Sequence, residues 1–181
     1  MLDECMKLIK ERRSVRNFED KPVADETLGT VLEALKWSQS WANTQCWEIV
    51  VVKDPEVKAR IQEAVPKSNP AFKSIVDAPV TLALCGKLNA AGYYKGQVTT
   101  KFGDWFMFDL GIATQNICLA AHAAGLGTVV VGLYDHDKAK AVLNVPDGHE
   151  LVVLIPMGYP SKVPSAPKRR EVDEFNHVDA F

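Results

Sequence analysis

Apolar residues recur along this chain with two spacings, and the spacing predicts the elements. Leu2, Met6 and Ile9 stand at helical intervals and predict an amphipathic helix over residues 2–12. Ser14 to Lys21 is polar and closes at Pro22, which reads as a loop. Asp25 can cap a second helix with Leu28, Val31, Leu32 and Leu35 on one face, fading near Trp37 to Trp41. Glu48 to Lys53 is a β-branched run and predicts a strand. Asp54-Pro55 is a helix start, a capping acid before Pro at the first helical position. Val57, Ile61 and Val65 continue that helix until Pro66. Residues 67–76 are ambiguous. Ala78-Pro79 leads into a second strand, Val80 to Cys85, and the polar, tyrosine-bearing stretch from Gly86 to Gly103 reads as a mobile, lid-like segment. Asp104 to Ala124 is the longest predicted helix. A strand over Thr128 to Val131, a short helix over Asp135 to Leu143, a turn at Asp147-Gly148 and a strand over Leu151 to Met157 complete the pattern.

Strands interleaved with helices make this an α/β or α+β chain, and 181 residues without a linker or repeat make one domain. Leu110, Ala113, Ile117, Ala120, Ala121 and Ala124 spread small and apolar residues over much of the long helix. A helix so apolar needs covering on more than one side, and a second subunit would supply that. From Gly158 the chain carries Pro160, Pro164 and Pro167 and then Lys168-Arg169-Arg170. Such a tail is stiff and reaches across a surface instead of building a core. Ile117 to Tyr134 has the length of a membrane span, but Gly125-Leu126-Gly127 divides it between helix-type and strand-type residues. A buried helix, a glycine turn and a buried strand are expected there, and no membrane association.

Charge and cysteine usage narrow the classes. Lys plus Arg number 21 against 23 Asp plus Glu, a net charge of -2, which argues against a general nucleic-acid binder. Cys5, Cys46, Cys85 and Cys118 are scattered singly, as in a reducing cytoplasm, and the N-terminus has no apolar signal region. Cys46 is expected to be a buried structural thiol. No G-x-G-x-x-G follows a strand, there is no P-loop or G-x-S-x-G, and the four histidines lie at no metal-ligand spacing. No metal is expected.

Three segments carry candidate chemistry. Arg12-Arg13-Ser14-Val15-Arg16 gathers three guanidiniums and a hydroxyl just after the first helix, donors suited to a phosphate. Lys168-Arg169-Arg170 is a second basic cluster; together the two could hold the charge of a phosphate monoester, or each could be a solvated run. Ser40-Trp41-Ala42-Asn43-Thr44-Gln45-Cys46-Trp47 offers the amides of Asn43 and Gln45, which can both donate and accept at the edge of a planar heterocycle. Trp41 and Trp47 either flank a ring or pack in the core. Gly125-Leu126-Gly127 through Gly132 allows close backbone approach, or is a helix cap and tight turn.

In their order and spacing these pieces resemble the flavin-dependent nitroreductase family, of which the chain looks like a short member. The likeness runs from R-R-S-x-R through S-x-x-N-x-Q-x-W, the Ala78-Pro79 strand entry, Asp109-Leu110-Gly111-Ile112-Ala113 with Gln115-Asn116, the G-L-G-T strand and the basic tail. The resemblance implies an α+β fold, an α/β/α sandwich with a mixed sheet flanked by helices, in an intertwined homodimer whose residues 158–181 wrap the partner. It implies tightly bound FMN at the dimer interface. Arg12, Arg13, Ser14 and Arg16, with Lys168 and Arg170, would hold its phosphate and ribityl chain. Ser40, Asn43 and Gln45 would line the flavin, and the Val131–Gly132 backbone would sit near its N5. Gln39 and Cys46 stand where the family often has prolines, and Val131 where some members have an acid.

The implied activity is reduction of nitroaromatic, quinone or related conjugated acceptors, with NADH or NADPH as transient donor and both substrates using one site in turn. The cofactor carries the chemistry, so no side chain need be an acid, base or nucleophile. Tyr93, Tyr94 and Lys95 mark the expected acceptor-side wall. The alternative is a carrier or sensor that holds FMN without turnover.

Overall fold

In a computed structural model describing residues 1–181, one four-stranded sheet separates two hydrophobic cores. Its strands are β1 (Trp47–Val52), β2 (Val80–Lys87), β5 (Gly127–Thr128) and β6 (His149–Gly158), in the order β1-β2-β6-β5. All three pairings are antiparallel. The sheet is therefore antiparallel where a mixed one was expected; the one parallel contact is an isolated bridge, Ser14 to Thr128. The central strand β2 is buried along its length except at Lys87, so alternate residues enter opposite cores. Val80, Leu82 and Leu84 meet Leu28, Val31 and Leu35 of α2 (Asp25–Lys36) and Leu110, Ala113 and Ile117 of α5 (Phe106–Ala123). Ala83 and Cys85 pack with Ile61 of α3 (Pro55–Gln62), Ile75 of α4 (Ser74–Asp77) and Ala139 of α6 (His136–Val142). This is the expected α/β/α sandwich.

Asp54 caps α3 as expected, but Asp25 does not cap α2: it is the first residue of that helix, Ala24 holds the cap position with no side-chain bond, and the Asp25 carboxylate pairs with Lys53. Asp54 accepts from the N–H of Glu56 and Val57 at 2.8 and 3.0 Å, and Asp135 accepts from Lys138 N–H at 3.0 Å. The helix at the N-terminus, α1 (Leu2–Glu11), buries none of its residues. Leu2, Met6 and Ile9 form an apolar stripe left open to solvent. No helix is long and apolar enough to cross a membrane.

Three further expectations need correction. The strand expected over 128–131 is ordered as β5 only at Gly127–Thr128, with a separate bridge from Val131 to Leu154. Between them Val129 donates to the carbonyl of Pro156, which has no N–H to return. Within 86–103, Gly86 and Lys87 end β2, and a hairpin follows: β3 (Tyr93–Tyr94) pairs with β4 (Gln97–Val98) across Lys95 and Gly96, both at positive φ (48° and 76°). That is the geometry a two-residue hairpin turn demands. Trp105 Nε1 donates to Thr100 Oγ1 at 2.6 Å and Asn89 N–H to Asp104 at 2.6 Å, which ties the hairpin to the start of α5. Finally, α3 ends at Gln62, and Ala64 and Val65 continue it only as tight turn bonds to Ile61 and Gln62.

Candidate functional site

The arginine segment leaves α1 in an extended conformation and is fastened on three sides. Val15 N–H donates to Thr128 O at 2.9 Å, and the Val15 side chain is buried against Gly127. Glu19 N–H donates to Tyr159 O at 2.9 Å, and Ser161 N–H to Asn17 O at 3.1 Å. From the other core, the fully buried Ser74 donates its hydroxyl to Arg16 O at 3.0 Å. The ambiguous stretch 67–76 thus supplies a support for the arginines. Asn69 does the same for the strand segment opposite: its Nδ2 donates to Leu133 O at 3.1 Å while its Oδ1 accepts from Ala71 N–H.

The two basic clusters meet. Arg12, Arg13, Ser14 and Arg16 line one cavity of about 320 Å³ with Pro164, Ser165, Pro167 and Arg169 of the tail. Four guanidiniums face it, and no acid does. Of the tail cations, Arg169 is the one that lines the cavity. Lys168 and Arg170 do not, and Arg170 is turned back onto Glu174. In an extended tail alternate side chains point to opposite sides, so the middle residue of the triplet takes the face that its neighbours leave. Arg13 Nη1 is also bonded to Lys10 O and Arg12 O, where it caps the end of α1.

The amide segment forms a second cavity of about 530 Å³, lined by Ser40, Asn43 and Gln45 together with Lys36, Trp37, Ser38 and Gln39. Ser40 Oγ accepts from Gln45 N–H at 2.9 Å, and Gln45 Nε2 donates to Asn43 Oδ1 at 3.3 Å. Ala42, Asn43 and Gln45 all have positive φ, between 45° and 55°. Ala and Gln seldom hold that conformation unless their surroundings favour it, whereas Asn adopts it more readily. The segment is bonded to α5: both carboxylate oxygens of Asp109 accept from Trp41 N–H at 3.0 and 3.1 Å, and Asn116 Nδ2 donates to Ser38 Oγ at 2.9 Å. Trp41 and Trp47 pack on the core, and the exposed Trp37 is the tryptophan at this cavity.

At the third segment, Val131 N–H is already given to Leu154 O at 2.8 Å. Gly132 N–H has no acceptor in the chain, the residue is exposed, and its carbonyl receives His136 Nε2 at 3.2 Å. Of the two, only Gly132 offers a free donor. Burial, with the Asp109 carboxylate beside it at 3.5 Å, pushes the Cys46 thiol up to about 12, so this cysteine stays protonated and unreactive. Burial likewise raises Asp109 itself, against the opposing bonds from Trp41 and Cys46. No three His, Cys, Asp or Glu side chains stand close enough to hold a metal.

The sequence model of the nitroreductase family matches residues 9–74 and 69–159. The chain belongs to the nitroreductase family. Among family relatives, "FMN reductase [NAD(P)H]" of Bacillus subtilis is 27% identical over 99% of this chain and 75% of its own. "Iodotyrosine deiodinase 1" of Rattus norvegicus is 27% identical over 94% of this chain and 68% of its own. The solved nitroreductase family protein of Streptococcus pneumoniae superposes with a TM-score of 0.84 at 25% identity, over 96% of this chain and 99% of that one. The arginine segment and the G-L-G-T strand fall inside the residues matched by the family model, while the tail with Arg169 lies beyond them.

Proposed function

We propose that this member of the nitroreductase family is an FMN-dependent NAD(P)H oxidoreductase acting as a cytoplasmic homodimer on nitroaromatic, quinone or related conjugated acceptors. The cavity walled by four guanidiniums and no acid carries the reading. A phosphate monoester is dianionic near neutral pH, and planar bidentate donors match its oxygens. The residues fit the cofactor at its other end as well. Ser40, Asn43 and Gln45 present hydroxyl and amide groups on one wall, and Thr44 Oγ1 is buried beside them without a partner. When bound, FMN supplies hydride transfer from the nicotinamide donor to the acceptor. The chain's own part is to hold the phosphate through Arg12, Arg16 and Arg169, to orient the ring through the amide segment, and to offer Gly132 N–H.

The dimer is part of the proposal for two reasons. The phosphate cavity and the amide cavity have no lining residue in common, so one chain offers two separate half-sites. Leu2, Met6 and Ile9 on α1, Trp37, and Met107 and Phe108 on α5 are all exposed, more unpartnered apolar surface than a monomer keeps without use. A partner covering this surface can bring one chain's amide segment to the other's arginines. The tail, exposed from Ser161 onward, is free to lie across it.

The test starts with the visible spectrum of dialysed protein and identification of any chromophore released by heat. Near-stoichiometric FMN, dimeric mass in solution, and NAD(P)H oxidation with a quinone or nitroaromatic faster than with free FMN are expected. A colourless protein that fails to take up added FMN overturns the reading. Bound FMN with a rate no better than free FMN means a carrier.

A further inference from the structure

Asp109 is the one buried acid of the molecule, 1% exposed on α5. No cation pairs with it; the ion pairs of the chain use other acids. Its partners are Trp41 N–H, received by both oxygens at 3.0 and 3.1 Å, and the Cys46 thiol, 3.5 Å from Oδ2. A buried carboxylate without a counter-ion opposes folding, and a carboxyl in that position is drawn toward its neutral form. Both partners lie in the segment that carries Ala42, Asn43 and Gln45 in the left-handed region. Asn116, seven residues further along α5, holds Ser38 just before the segment at 2.9 Å.

We propose that Asp109 is a positioning residue: through Trp41 and Cys46 it imposes the strained backbone in which Ser40, Asn43 and Gln45 share one wall. The ligand of that wall rests on the FMN reading above; the positioning itself rests on the hydrogen bonds. Asp109 touches neither cavity, so its effect must travel through the backbone of the segment.

The experiment uses the full-length protein, Asp109→Ala and Asp109→Asn, with two readouts. Hydrogen exchange reports the segment directly, and FMN titration reports its consequence. Removing the acceptor leaves a part-buried N–H without a partner, so the loss should be visible in both. In Asp109→Ala the Trp41 amide should exchange about tenfold faster or more, with β2 and β6 still protected, and FMN should bind about tenfold more weakly or worse. Asp109→Asn retains an acceptor oxygen and should lie between the two. If Asp109→Ala does not fold, Asp109→Leu, which fills the space without an acceptor, decides: faster Trp41 exchange supports the role, and an unchanged rate overturns it. A variant that only melts earlier, with wild-type exchange at Trp41 and wild-type FMN affinity, also overturns it. Wild-type protein without FMN affinity sinks the cofactor reading, while exchange at Trp41 still decides the positioning.

Discussion

The hydroxyl of Ser74 reaches the carbonyl of Arg16, 58 positions away in sequence, at 3.0 Å. It crosses from the core under α4 to the segment that carries Arg12, Arg13 and Arg16. Ser74→Ala leaves that carbonyl without its donor. A loss of about 1–2 kcal/mol in urea unfolding is expected, together with weaker FMN binding. Stability lost with FMN affinity intact would show that the arginine segment is held well enough by its other bonds.

Gly127 has no room for a side chain. A Cβ there would stand 2.6 Å from Cβ and Cγ2 of Val15. Gly127→Ala must push the arginine segment off the sheet or distort the strand, at a cost of about 1–3 kcal/mol. A variant with wild-type stability in denaturant unfolding would mean that Val15 can yield without loss.

The arginines divide by role. Arg12→Ala, Arg16→Ala and Arg169→Ala should each weaken FMN about tenfold or more and leave riboflavin, which lacks the phosphate, unaffected. Arg13→Ala should chiefly loosen α1, whose last carbonyls it caps. Arg170→Ala should have little effect, because its side chain is engaged by Glu174. Parallel titrations with FMN and riboflavin check the division. Loss of riboflavin affinity in the arginine variants would place those side chains at the ring.

Two buried thiols set an alkaline limit on stability. Burial pushes Cys46 up to about 12 and Cys85 up to about 11, from an ordinary 9.0. Between pH 9 and those values the unfolded chain has released these protons and the folded chain keeps them. Unfolding stability therefore falls as pH rises, by up to about 1.4 kcal/mol per pH unit for each group. Cys46→Ala should flatten the fall above pH 9. An unchanged slope would mean that Cys46 ionises in the fold as easily as out of it. At pH 8 only Cys5, the one exposed cysteine, should react with a thiol reagent in the native protein.

Much of this was legible in the sequence. The long periodic helices, the β-branched strands and the Asp54 cap depend on neighbours within a turn or two, and the chain spells those out. Arg12, Arg13, Ser14, Arg16, Ser40, Asn43 and Gln45 could be singled out because each segment concentrates one kind of donor within a few positions. What sequence could not supply were partners set by packing between distant segments. Gly127 signals close approach, but only the fold shows that Val15 is what approaches. The strand after it stops at Thr128 because Pro156, across the sheet, cannot return a hydrogen bond. The tail triplet advertised three cations, and its path over the surface selected Arg169. Asp109 stood in a recognisable helix motif with no sign that it grips Trp41, 68 positions earlier. Local spacing encodes which face of an element is buried; only the meeting of elements decides what that face touches, because burial energy depends on composition and hydrogen bonds depend on position.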